Sequence, residues 1–126
     1  MIVLDTHTWI WWSRDKKMLS APAVAAISRS SATAVAAISI WEVAFLARRR
    51  RIDLHLPSAE WFDVAFSGGE FEALPITPAI AIRAASLEVL RDPADRLIVA
   101  TALEHHAPLV TKDDRIRNAN VIDTIW

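Results

Sequence analysis

No cysteine occurs in the 126 residues, which excludes disulfides, thiolate zinc sites, iron–sulfur ligation and a cysteine nucleophile. The compartment is then unconstrained by redox, and the cytoplasm is the default expectation. Glycine is nearly missing as well, at two residues, so collagen-like and low-complexity classes do not apply. No apolar run approaches the ~18 residues of a membrane span. Met1 to Leu4 run straight into Asp5, without the basic start and apolar stretch of a signal peptide, so a soluble, unprocessed chain is expected. Neither sign of charge dominates: 14 basic against 15 acidic residues leave a net charge of −1, no advertisement for nucleic acid. What the chain does have is 53% hydrophobic residues, enough for an ordinary core without staples. Residues 1–126 are therefore expected to form a single domain.

Periodicity supplies the elements. Ile2 to Leu4 is a short apolar run that stops at an acid, a buried strand, and Thr6 to Ser13 reads as a short helix carrying three tryptophans. Ser20 to Ser30, with a cap serine and Pro22 in the first turn, predicts a second helix. Thr33 to Ile38 is a second strand. Ser39 to Arg51 follows as a helix with Ile40, Val43, Ala44 and Ala47 on one face; Trp41, Phe45 and Leu46 load a second face, so burial on two sides is expected. Ser58 starts a helix that ends at Gly68-Gly69, Glu72 to Ile76 suits a short strand, and Thr77 with Pro78 opens the next helix. Asp92-Pro93 repeats that start signal. Leu109 to Thr111 and Val121 to Ile125 complete the strands. This alternation predicts an α/β fold of three layers, a mostly parallel sheet with helices on both faces.

Acids recur where strands end and helices begin: Asp5 after the first strand, Glu42 in the first turn after the second, Asp95 in the first turn of the Asp92 helix, and Asp113 after the Leu109 strand. Sites in open α/β sheets form outside the carboxyl ends of the strands. Four carboxylates meeting there would repel by a few kcal/mol per close pair at an effective dielectric near 20, and something must neutralise them. With oxygen ligands and no sulfur, a hard divalent cation fits, Mg²⁺ or Mn²⁺. Each acid also has a structural alternative. Ser39-Ile40-Trp41-Glu42 matches a capping box, Asp92 and Asp95 suit a helix start, Asp113 and Asp114 suit a turn, and Asp5 could cap the tryptophan-rich helix.

Four segments in order, Ile2-Val3-Leu4-Asp5-Thr6-His7, Ser39-Ile40-Trp41-Glu42-Val43-Ala44, Asp92-Pro93-Ala94-Asp95-Arg96-Leu97-Ile98 and Leu109-Val110-Thr111-Lys112-Asp113, resemble the PIN-domain ribonucleases, and among them the VapC-like toxins of VapBC toxin–antitoxin systems. Any one motif is weak; the ordered set covers essentially the whole chain. The resemblance implies metal-dependent hydrolysis of RNA phosphodiester bonds, with Asp5, Glu42, Asp95 and Asp113 as the acidic quartet. It makes Asp5 and Asp95 the closest metal ligands, with Glu42 and Asp113 completing the shell or holding its waters. Thr111 matches a hydroxyl residue that orients the first strand's acid, and Thr6 is assigned a similar part. Asp92 and Asp114 are supporting acids, and the Thr-x-Asp spacing favours Asp113 over Asp114 for the quartet. The resemblance also implies a homodimer and a VapB-like antitoxin partner whose helix or tail occupies the groove near the acids.

Setting the four site acids aside leaves 11 acidic against 14 basic residues, an excess of three positive charges. Arg48, Arg49, Arg50 and Arg51 concentrate it. They read either as a solvated helix end that complements the dipole or as a phosphate-positioning patch for RNA. Trp9, Trp11 and Trp12 cannot all face inward from one short helix, so at least one is expected at an interface. His105 and His106 read as solvated; His7 suits either a pocket wall or a helix start. Two other functions fit parts of the pattern. Asp5-Thr6-His7-Thr8 approximates the first motif of an aspartyl-nucleophile phosphohydrolase of haloacid dehalogenase type, with His7 where a second aspartate should stand. A catalytically inactive scaffold that only binds an antitoxin is the other.

Overall fold

The computed structural model describes residues 1–126 throughout. Five strands, none longer than four residues, are β1 (Ile2–Leu4), β2 (Thr33–Ala36), β3 (Phe71–Leu74), β4 (Leu109–Val110) and β5 (Thr124–Ile125). They form one sheet in the order β3-β2-β1-β4-β5, and every pairing is parallel. Parallel neighbours need long crossovers, and helices supply them: α1 (Thr6–Arg14), α2 (Ala21–Arg29), α3 (Ala37–Arg48), α4 (Ser58–Ser67), α5 (Pro78–Ser86), α6 (Pro93–Glu104) and α7 (Asp114–Ala119). Strand residues alternate between two cores. Ile2, Leu4, Val35 and Val110 face Trp9, Val43 and Trp61; Val3, Ala34, Ala36 and Leu109 face Ile98, Val99 and Ile116. Both faces being covered is why β1 and β2 are apolar runs rather than alternating ones.

Helix starts follow local chemistry where a polar cap precedes a proline. Ser20 accepts from the Ala23 amide, Thr77 from Ile80 and Asp92 from Ala94, each freeing the helix from one orphan donor. The double glycine closes α4, with Gly69 at φ +67. The second strand, however, ends at Ala36, and α3 begins at Ala37 with no side-chain cap. Ser39 is therefore inside the helix, the capping box does not form, and Glu42 falls in the second turn rather than the first. The last strand is shorter than expected because Asn120 turns left-handed (φ 53) and Val121 and Ile122 pack against the core. Asp114 to Ala119, with no apolar stripe longer than one turn, is a helix that periodicity does not reveal.

The face of α3 bearing Trp41 and Phe45 is also unlike the expectation. Trp41 is 57% exposed and Phe45 41% exposed, and the two rings stack on each other at 5.0 Å. No element of this chain covers them. With Ile38, Leu46 and Leu97 they line an apolar groove against the start of α6. Of the three tryptophans on α1, Trp9 and Trp12 are buried and Trp11 is half-buried.

Trp9 is the centre of the first core. Its ring meets Trp61 at 5.2 Å, Phe66 at 5.6 Å, Phe62 at 6.0 Å and Phe71 at 6.2 Å, so α1, α4 and β3 are joined through one side chain. Trp9→Ala is expected to cost about 3–5 kcal/mol of stability, as for other large core truncations, whereas Trp41→Ala should cost under about 1 kcal/mol. Urea denaturation of the two variants checks the contrast, and similar losses would contradict this packing.

Candidate active site

The chain runs β1, β2, β3 outward in one direction and then returns to place β4 and β5 on the other side of β1. Loops leaving the carboxyl ends of β1 and β4 therefore diverge, which opens a crevice at that edge. Asp5 leaves β1 into this crevice and Thr111 leaves β4 beside it. Asp5 is buried. Its Oδ1 accepts from the Thr8 amide at 2.7 Å, capping α1, and its Oδ2 accepts from the Thr111 hydroxyl. The Thr111 oxygen in turn accepts from the Asp113 amide at 3.0 Å. Thr111 thus holds one Asp5 oxygen while the other caps α1.

Thr6 acts on a different acid from the one expected. Its hydroxyl donates to Glu42 Oε1 at 2.6 Å, not to Asp5, and lies 3.0 Å from the Ser39 hydroxyl. A hydroxyl has one proton, so with Thr6 donating to the carboxylate, Ser39 provides the proton of the second contact. Buried Ser39 is a supporting residue that the capping-box reading hid. Asp95 lies at the third position of α6 and accepts no hydrogen bond from the protein. Asp92, exposed, caps the same helix.

Asp113 caps α7 through the Arg115 amide at 2.8 Å and also takes the Arg115 guanidinium, with Nε 3.2 Å from Oδ1 and Nη2 2.9 Å from Oδ2. Arg115 has no signal in the sequence, because only the helix start brings it back onto Asp113. Asp5, Thr6, Glu42, Asp92, Asp95 and Asp113 line one cavity of about 340 Å³, whose remaining wall includes His7, Trp11, Lys112 and Arg115. Asp114 is not in it: it sits on the surface, paired with Arg117 at 3.4 Å. Arg48, Arg49, Arg50 and Arg51 are exposed and outside the cavity as well. They begin about 9 Å of helical rise beyond Glu42.

The electrostatics divide the acids. Burial pushes Asp5 above the usual carboxylate range, against the opposing hydrogen bonds from Thr111 and Thr8. Glu42 is raised by burial too. Asp95 rises to about 6, through burial first and then repulsion from Asp92 and Asp113. Asp113 goes the other way, held down by the Arg115 hydrogen bonds. Asp5, Glu42 and Asp95 have no cationic partner among the ion pairs of the chain. That donor set suits a hard divalent cation in its chemistry, all oxygen and under-neutralised. No three acidic or histidine side chains stand close enough together to form a ready-made cage.

Residues 2–122 match the PIN domain family. The chain is 43% identical to ribonuclease VapC22 of Mycobacterium tuberculosis (strain ATCC 25618 / H37Rv) over 119 residues, 93% of this chain and 90% of that protein. Its fold resembles that of a toxin–antitoxin complex from Klebsiella pneumoniae, with TM-score 0.71, 21% identity, and coverage of 100% of this chain and 97% of the other. It also resembles FitAcB from Neisseria gonorrhoeae, at TM-score 0.72 and 19% identity with the same coverage. No helix is long and apolar enough to cross a membrane.

A carboxyl whose pKa is higher in the folded than in the unfolded chain holds its proton better when folded. Between about pH 4 and 6, Asp95 is protonated folded and ionised unfolded, so its contribution to stability falls as pH rises through that window and stays lost above it. In chelator at about pH 8, Asp95→Asn is expected to melt at a higher temperature than the parent. The difference should vanish below about pH 4, where both states are protonated. Thermal melts across this range check it; a pH-independent difference would contradict the burial and crowding that raise Asp95.

Proposed function

The chain belongs to the PIN-domain family, and on that premise we propose that it is an endoribonuclease, the toxin of a VapBC-type toxin–antitoxin pair, which hydrolyses RNA phosphodiester bonds with a carboxylate-held Mg²⁺ or Mn²⁺. One observation carries the reading: three carboxylates without a cationic partner, Asp5, Glu42 and Asp95, converge on one cavity at the switch point of the sheet. The rival phosphohydrolase motif needs an acid where His7 stands, exposed on α1. A scaffold that only bound a partner would have no use for uncompensated acids, which cost stability.

A carboxylate has about four acceptor sites, and the hydrogen bonds rank the acids. Asp95 has all of them free, Glu42 gives one to Thr6, Asp5 gives two, and Asp113 gives three to Arg115. Asp95 and Asp5, with Glu42 beside them, are the residues proposed to hold the cation; Asp113, with one site left, is suited to holding a water. Bound there, the cation supplies charge neutralisation for the phosphate and a water of lowered pKa. Thr111 and Thr6 keep Asp5 and Glu42 from turning away, and Asp92 adds negative charge at the rim. Arg115 and Lys112 face the cavity as cations and are placed to meet phosphate oxygens. Water attacks phosphorus, the bond to the 3′ oxygen breaks and that oxygen takes a proton, leaving a 5′ phosphate and a 3′ hydroxyl.

Residues 1–126 act in this reading as one PIN domain, in the cytoplasm. The open apolar groove along Trp41 and Phe45 supports the protein partners proposed with it, a second copy and a VapB-like antitoxin, since aromatic side chains are enriched where proteins meet. The run Arg48, Arg49, Arg50 and Arg51 is proposed to hold the RNA backbone on the approach to the acids.

Excess chelator is expected to abolish cleavage of RNA, and Mg²⁺ or Mn²⁺ to restore it. Glu42→Gln keeps an acceptor for Thr6, so its melting temperature should be little changed, yet turnover at saturating Mg²⁺ should fall by about two orders of magnitude or more. Undiminished cleavage in chelator would refute the metal reading, and a near-normal rate for the variant would remove Glu42 from the site. For the arginines, replacing Arg48 and Arg49 by glutamine should reduce the slope of log affinity against log salt by about 1.4, two contacts at ~0.7 each for a single strand. An unchanged slope would leave the run a solvated helix end.

A further inference from the structure

The lining of the acid cavity includes an aromatic side chain, Trp11, that the hydrolytic steps do not use. Trp11 follows His7 by four residues on α1, so both project from the same side of the helix. Its neighbours Trp9 and Trp12 are buried; Trp11 is half-buried, and its ring lines the same cavity as Asp5, Glu42 and Asp95. The ring is held in place. The His7 ring lies 5.7 Å away and the Trp126 ring 5.9 Å away, both tilted against it, while the Lys112 ammonium stands 5.9 Å from its centroid, within reach of a cation–π contact.

The same cavity is therefore lined both by carboxylates for a cation and by an indole flanked by a lysine. At about 340 Å³ it exceeds the roughly 200 Å³ that an ion with six waters would fill at ~30 Å³ each, and its volume lies in the range of pockets that take a small organic group. Aromatic side chains beside a cation are what unpaired bases stack on. We propose that Trp11, braced by His7, Trp126 and Lys112, is the stacking platform for a nucleobase next to the bond that is cut, with Lys112 answering the adjoining phosphate. This rests on the endoribonuclease reading and deepens it. Trp11 is a positioning residue: it sets where the strand lies relative to Asp5 and Asp95, and it favours a strand whose bases are free to leave their stack.

The test uses a single-stranded RNA oligonucleotide that the parent cleaves, together with a set in which one nucleotide at a time is abasic. Cleavage is measured with Mg²⁺, and binding by fluorescence anisotropy of the labelled oligonucleotides with Ca²⁺ in its place. For Trp11→Ala, KM and Kd should rise roughly five- to a hundredfold, the range for losing one stacked base, with kcat changed much less. Trp11→Phe should recover most of the loss. In the parent, one abasic position beside the cleaved bond should be penalised, and in Trp11→Ala that penalty should disappear. Should the alanine variant not fold, the parent's abasic series and the phenylalanine variant still decide, because a parent with no penalised position overturns the platform. Equal abasic penalties in parent and Trp11→Ala, or affinity unchanged by the substitution, overturn it while leaving the endoribonuclease reading intact. If the parent cleaves no RNA, the abasic series is read on binding alone: a penalty that Trp11→Ala removes sustains Trp11 as a base platform and refutes the endoribonuclease reading, and absence of both cleavage and penalty refutes the two together.

Discussion

A carboxylate taken out of water at the end of a strand has to be met by donors from the protein, and Asp5 is met by two that come from opposite ends of the chain: the Thr8 amide in α1 and the Thr111 hydroxyl after β4. Leaving such a group unsatisfied would cost several kcal/mol. The bond to Thr111 can form only if β4 pairs beside β1 in the observed register, Val3 opposite Leu109 and Leu4 opposite Val110. Site geometry and sheet order are thus one arrangement. The Asp113 amide, donating to the same Thr111 oxygen, carries the constraint on into α7.

Three helix amino-termini, those of α1, α6 and α7, point their free amides toward these acids and are capped by Asp5, Asp92 and Asp113. Each such terminus stabilises a negative charge by about 0.3–1 kcal/mol. A close carboxylate pair repels by up to a few kcal/mol, and the cavity contains several. Burial is the larger cause: it makes Asp5, Glu42 and Asp95 bind protons more tightly than free carboxylates do, with repulsion from Asp92 and Asp113 adding to it at Asp95, while Asp113, with its own arginine, is held down.

Much of this was legible in the sequence because strand ends and helix caps are local. Asp5, Asp92-Pro93 and Thr77-Pro78 stand where a few neighbouring residues suffice to identify a boundary. The Ser39 to Glu42 segment misleads because its spacing satisfies a capping box equally well. The helix starts instead at Ala37, directly after the last β2 residue paired with β3, Ala36 opposite Leu74, and strand pairing is a tertiary matter. Arg115 was hidden since its partner lies two residues away in a helix too short to show a period. Trp41 and Phe45 carry a buried residue's chemistry on a face that this chain leaves open, and hydrophobic periodicity reports only that a face is apolar, not what covers it.

Of the five strands the central one comes first in the chain and is enclosed late. β1 occupies residues 2–4, yet its neighbour β4 lies at 109–110, so a chain emerging from the ribosome can pair β1 with β2, and β2 with β3, long before β4 arrives. Contacts so distant in sequence form late and slowly. Until Thr111 has been synthesised, Asp5 lacks half of its support, and Asp113 does not exist. Asp5 and Asp113 therefore meet only after every crossover between β1 and β4 has been made, so the acid cavity is among the last parts of this fold to close.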